Sequence, residues 1–108
     1  MHRPWHRPKQ PEVSGPHLRI SGPGGDRTVP IAGTEIGIGR LPDNDVILRD
    51  RSVTGRHARL IATDVGYSIE DSGSSTGTYI NGIRLTGARL LKTEDEIRIG
   101  AYSLHLLD

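Results

Sequence analysis

Apolar residues recur at every second position through most of the chain. Leu18 and Ile20 share a face in "HLRIS", Ile36 and Ile38 in "EIGIGR", Tyr67 and Ile69 in "GYSIED". Ile97 and Ile99 do the same in "EIRIG", and Tyr102, Leu104 and Leu106 in "AYSLHLLD". Period two is the mark of a strand with one buried face. Turn-forming clusters separate these runs: "GPGGD" at 22–26, "LPDND" at 41–45, "TDVG" at 63–66, "SGSSTG" at 72–77 and "NG" at 81–82. No long window carries the three-and-four spacing of a capped helix. The pattern predicts an all-β chain, an antiparallel β-sandwich of roughly ten strands whose loops collect at the two ends of the sheets.

The first 16 residues break this rhythm. "MHRPWHRPKQPEVSGP" has no apolar period and carries Pro4, Pro8, Pro11 and Pro16, so it reads as a disordered proline-rich tail or linker, with one folded domain over 17–108. His2 and His6 have a four-residue spacing that chelates a metal only on a helix, which the prolines forbid; a solvated basic tail is expected, and no metal site.

Composition narrows the class further. A chain of 108 residues is one domain with room for a core, built here from Leu, Ile, Val, Ala and Tyr because Phe is absent and Met and Trp each occur once. Cysteine is absent, which excludes a disulfide framework and thiolate metal sites and fits a cytoplasmic setting. No apolar run approaches the length of about 20 residues that a membrane helix needs, so no membrane partner is expected. Net charge is +1, unlike a broadly basic nucleic-acid binder. Charge is nevertheless uneven: Arg49, Arg51, Arg56 and Arg59 crowd around Asp50 in "RDRSVTGRHARL", and Glu94, Asp95 and Glu96 cluster later.

Three stretches could carry chemistry. Gly37 and Gly39 form a GxG, but the third glycine of a dinucleotide fingerprint is missing and "LPDND" follows in place of a helix. Gly39 reads instead as a strand-end residue that permits close backbone approach and leaves Arg40 in a loop. Ser52 or Thr54 with His57 offers the residue types of a nucleophilic centre. Three positions of extended chain would place the Thr54 hydroxyl and the His57 imidazole on opposite faces, and no nucleophile elbow is present, so no catalysis is expected. His57 reads as a buried hydrogen-bonding residue that stiffens its loop. The third stretch, "DSGSSTGTYING" at 71–82, could aim backbone amides and hydroxyls into one anion-binding concavity, or be a plain flexible loop. With alternating strand directions, the loops bearing Arg40, Thr54 and Ser75 fall at the same end of the sandwich. One guanidinium and two hydroxyls would then face a space suited to a single dianionic phosphate.

Taken in order, "IGR" at 38–40, "PDNDVIL" at 42–48, "SVTGRHARL" at 52–60, "DSGSSTGTYING" at 71–82 and "DEIRIG" at 95–100 resemble the forkhead-associated (FHA) domain. The resemblance runs from about Leu18 to Leu107. It implies an eleven-stranded antiparallel β-sandwich, with binding loops at one end, that recognises phosphothreonine peptides of Ser/Thr kinase substrates without catalysis, cofactor or small-molecule substrate. By resemblance, Gly39 and His57 shape the loops, Arg40 contacts peptide backbone or phosphate, and Thr54 takes the place of the phosphate-binding serine of a Ser-Arg-x-His motif. Ser75 takes the hydroxyl position of the following loop, and Asn81 and Gly82 form the turn after it.

Two positions depart from the family. Gly55 stands where arginine is usual, removing a charge-assisted hydrogen bond worth about 1.5–3 kcal/mol. Arg56 is a poor substitute, because neighbours in an extended chain point to opposite faces, whereas Arg51 or Arg49 could reach in. Thr76 stands where an asparagine usually holds the peptide backbone, so the peptide would be held more loosely. The leading expectation is a phosphothreonine-peptide-binding module, pictured as a monomer. The alternative is a degenerate FHA domain that binds a partner independently of phosphorylation. Nucleic-acid binding through the arginine loop is the third reading, disfavoured by the lack of stacking aromatics there.

Overall fold

The computed structural model describes residues 15–108. Of the stretch expected to be a tail, Met1 to Ser14, including His2 and His6, lies outside the described residues, while Pro16 already accepts a hydrogen bond from Ile31 N at 3.0 Å. Eleven strands follow: β1 His17–Ser21, β2 Arg27–Pro30, β3 Glu35–Gly39, β4 Val46–Ile47, β5 Ala58–Thr63, β6 Gly66–Asp71, β7 Thr78–Ile80, β8 Ile83–Arg84, β9 Arg89–Leu90, β10 Ile97–Ile99 and β11 Tyr102–Leu107. No helix among the described residues is long and apolar enough to cross a membrane.

The strands form two sheets, β2-β1-β11-β10-β7-β8 and β4-β3-β5-β6-β9. The period-two residues turn inward from both. Leu18, Ile20, Ile97, Ile99 and Leu104 from the first sheet pack with Ile36, Ile38, Leu60 and Ile69 from the second. Each such buried side chain stabilises the fold by about 1.5–3 kcal/mol relative to exposure. Tyr67 and Leu106, at the ends of their patterns, are only half-buried.

One pairing differs from the purely antiparallel expectation: β3 and β4 run parallel, with Ile38 opposite Val46 and Gly39 opposite Ile47. The physical reason lies in "LPDND". The turn doubles back until Asp45 N bonds Gly37 O at 3.0 Å and Asp45 Oδ2 accepts from Gly37 N at 2.8 Å. The chain then sets out again beside β3 in the same direction. At the far end of the sandwich, Asn81 (φ +52°) and Gly82 (φ +82°) form a tight turn between β7 and β8, the left-handed pair that an Asn-Gly hairpin favours.

Candidate functional site

Antiparallel pairing of Ile38 with Ala58 and of Ala58 with Asp71 brings the end of β3, the start of β5 and the end of β6 to one edge of the second sheet. Three loops leave this edge, over residues 40–45, 48–57 and 72–77. They are fastened to one another from below. Arg40 N bonds Thr54 O and Leu41 N bonds Gly55 O, both at 3.2 Å, and Asn44 Nδ2 reaches Gly55 O at 2.8 Å. The approach is so close that a Cβ on Gly39 would lie 2.2 Å from Gly55 O. Only glycine fits at position 39.

His57 joins the second loop to the third. It is 0% exposed, and its Nδ1 accepts the Thr54 amide at 3.0 Å. The ring proton therefore sits on Nε2, which donates to Gly77 O at 2.8 Å. This geometry replaces the extended segment expected over Thr54 to His57. β5 begins only at Ala58, and the residues before it bend so that the imidazole turns inward. With both nitrogens engaged, the ring has no free site for proton transfer at the surface.

Above this floor, Thr54 and Ser75 meet. Their hydroxyl oxygens are 3.1 Å apart, and Thr54 Oγ1 also accepts the Ser75 amide at 3.0 Å. A hydroxyl pair that shares one proton keeps the other free to donate outward. Arg40, whose backbone N bonds Thr54 O, is exposed. Its Nε donates to Val53 O at 3.1 Å, and among the described residues no acceptor engages its two Nη groups. The backbone amides of Gly55 and Thr76 also have no acceptor among the described residues. A guanidinium fork, one spare hydroxyl proton and unpaired amides together can hold a single oxyanion.

The other candidates fall differently. Thr76 is exposed, but its hydroxyl donates to Ser52 O at 3.1 Å. Gly55 lies under Leu41: a Cβ at position 55 would meet Leu41 Cδ1 at 3.0 Å. Arg56 turns away and pairs with Asp43 through its Nη2. Arg51 and Arg49 are exposed and without a carboxylate partner among the described residues. Asn81 and Gly82 are at the opposite end of the sandwich, where Asn81 Nδ2 donates to Asp95 at 2.9 Å and Asn81 Oδ1 accepts from Glu96 N at 2.9 Å. Among the described residues no group of His, Cys, Asp or Glu could hold a metal ion.

Sequence reasoning passed over Asp71, which builds the third loop. Its Oδ1 accepts from Gly73 N and Ser74 N at 2.8 and 2.7 Å, and its Oδ2 from Ser74 Oγ and Thr78 Oγ1 at 2.6 and 2.7 Å. Burial pushes this carboxyl up, but the donors from Ser74, Thr78 and Gly73 outweigh it and hold the pKa at about 2. The visible signal was an aspartate placed two and three residues before Gly73 and Ser74, the Asx-turn spacing. The Asp50–Ser52 pair has the same local spacing and was equally visible, whereas Asn44 and Leu41 were missed for another reason, since Gly55, which both of them bond, becomes their neighbour only through the fold. Asp50 Oδ2 takes both the amide and the hydroxyl of Ser52, and this hydrogen bonding lowers its pKa.

Comparison with known proteins bears on this rim. The family model described as FHA domain matches residues 36–100. The chain is similar to the oxoglutarate dehydrogenase inhibitor of Corynebacterium glutamicum, with 38% identity over 69 residues that cover 64% of this chain and 48% of that protein. It is also similar to the transcriptional regulatory protein EmbR of Mycobacterium tuberculosis, with 37% identity over 73 residues, 68% of this chain and 19% of that one. The solved structure of Mycobacterium tuberculosis EmbR in complex with a low affinity phosphopeptide superposes with a TM-score of 0.75 at 30% identity, covering 83% of this chain and 24% of that chain. The chain thus spans about half the length of the first curated relative and a fifth of the second.

Proposed function

The chain belongs to the forkhead-associated family, and we propose that its rim of loops binds phosphothreonine peptides, making it a non-catalytic interaction module of Ser/Thr kinase signalling. The observation that supports this reading is the meeting of the Thr54 and Ser75 hydroxyls, 3.1 Å apart, from two loops, with the loop of Arg40 bonded to Thr54 O and Val53 O. A phosphate at neutral pH carries about −1.5 to −2 charge and three acceptor oxygens. Arg40 supplies the countercharge through its open Nη edge, the Thr54–Ser75 pair supplies a hydroxyl donor, and the Gly55 and Thr76 amides supply neutral donors. Gly39, His57 and Asp71 keep these groups in place before the ligand arrives, so little ordering cost is left to binding. A phosphorylated kinase substrate as partner, a monomeric state and a cytoplasmic setting go with this reading.

Two observations favour a second reading, a partner bound without phosphate: the Thr76 hydroxyl is committed to Ser52 O, and Gly55 offers no side chain. Calorimetric titration with a phosphothreonine peptide library and its unphosphorylated counterparts separates the two. Wild type is expected to bind only phosphorylated members, and Arg40→Ala to lose about 10- to 100-fold in affinity with an unchanged melting temperature. Equal binding of both peptide sets would establish the second reading.

A further inference from the structure

Beside the rim lies a recess that the phosphate site does not use. Its walls are Pro23, Gly24 and Gly25 of the β1–β2 loop, Arg27, Ile47, Arg49 and Tyr102, and its volume is about 460 Å³. It adjoins the rim through a chain of contacts. Thr76 Oγ1 bonds Ser52 O, Ser52 Oγ accepts from Ala101 N at 3.0 Å, and Tyr102, the next residue, lies against Gly22, where a Cβ would come within 2.8 Å of its ring.

Two guanidiniums face this recess. Arg27 is fixed by an Nη2 bond to Ile47 O, and Arg49 has no partner among the described residues. Neither nearby carboxylate forms an ion pair with them among the described residues: Asp50 directs its Oδ2 to the amide and hydroxyl of Ser52, and neither Asp50 nor Asp26 lines the recess. Two guanidiniums lining one recess with no carboxylate paired to either, one anchored and one free, have the makings of an anion site.

Distance allows a single peptide to reach both places. Arg49 and Thr54 lie five positions apart in one loop, at most about 18 Å even if fully extended. The loop is folded, with Asp50 N bonded to Leu48 O and Val53 N to Asp50 O, each at 3.0 Å. A bound strand advances about 3.3 Å per residue, so it covers the gap within about five residues.

We propose that this recess is a second anion subsite, in which Arg49 and Arg27 receive an acidic side chain, a carboxylate or a second phosphate, from the peptide whose phosphothreonine occupies the rim. This rests on the phosphothreonine reading above. It also gives the arginine-rich loop a task other than replacing the side chain missing at position 55.

The test uses phosphothreonine peptides in three series: neutral flanks, a glutamate moved through the flanking positions, and a second phosphothreonine moved likewise. Wild type is expected to bind the best acidic peptide about fivefold tighter than the neutral one at low salt, with the gain shrinking as salt is raised. Arg49→Gln, an exposed position without partners, should remove the gain, keep affinity for the neutral phosphopeptide, and melt with wild type. The glutamate and phosphate series tell which anion is preferred. Equal affinity of wild type for acidic and neutral phosphopeptides overturns the subsite alone, as does a preference that survives in both Arg49→Gln and the Arg27→Gln/Arg49→Gln double variant. Failure of wild type to bind any phosphopeptide overturns the phosphothreonine reading and the subsite together.

Discussion

On the outer face of the five-stranded sheet, Arg59 of β5 is clasped between Glu35 of β3 and Glu70 of β6, whereas at the rim Arg40 gives its Nε to the Val53 carbonyl and meets no carboxylate. The face neutralises its arginine across neighbouring strands and, among the described residues, leaves no cation open there. The rim withholds partners from Arg40, Arg49 and Arg51, and the one acidic group that builds its third loop, Asp71, is satisfied by amides and hydroxyls in place of a cation. At the opposite end of the sandwich Asp95 combines amide donors with Arg89 at 3.5 Å. An arginine left uncommitted over a floor stiffened by neutral donors is therefore what distinguishes the rim, the proposed binding surface, from the sheet face.

The contrast breaks most severely at the floor. Gly39→Ala pushes a methyl group into Gly55 O and should destabilise the domain by about 3 kcal/mol and abolish phosphopeptide binding, measured by urea unfolding and titration. Unchanged affinity in that variant would mean the close approach of the two loops does not support the rim.

A gentler change sharpens the contrast. Adding a further uncommitted arginine by Gly55→Arg, together with Leu41→Ala to clear the contact at 3.0 Å, should raise phosphopeptide affinity up to about tenfold. Gly55 has no positive φ, so the backbone accepts a side chain there. Leu41 is 44% exposed and its removal leaves the core intact.

The Asp71 clamp sets a pH dependence. Its folded pKa of about 2 lies below the ordinary 3.8, so the clamp stabilises fully above that value and its contribution is lost as pH falls from about 4 towards 2. After solvent screening this is worth about 1 kcal/mol, and unfolding curves collected through this range should show a shallower acid slope for Asp71→Asn than for wild type. The smallest effect belongs to the sheet face. Arg59→Gln should shift stability by less than about 1 kcal/mol and leave phosphopeptide affinity within about twofold, because exposed ion pairs contribute little.

Much of this molecule was legible along the chain. Alternation of Ile, Leu and Tyr marked the strands and their buried faces, Gly and Asn marked the turns, and Arg40, Thr54 and Ser75 stood out by residue type. What stayed hidden were partners. The parallel course of β4, the inward turn of His57 to Gly77, the hold of Asn44 on Gly55, the pairing of Arg56 with Asp43 and the placement of Arg27 beside Arg49 all join residues that only the fold makes neighbours.

Sequence by itself determined the sandwich and the hydroxyls and guanidinium at its disposal, because period and turn chemistry are local properties of the backbone. Tertiary structure alone decided which arginines are neutralised and which remain open, because a charge is cancelled by whatever lies within a few ångströms of it, and that distance is set by the packing of loops far apart in the chain.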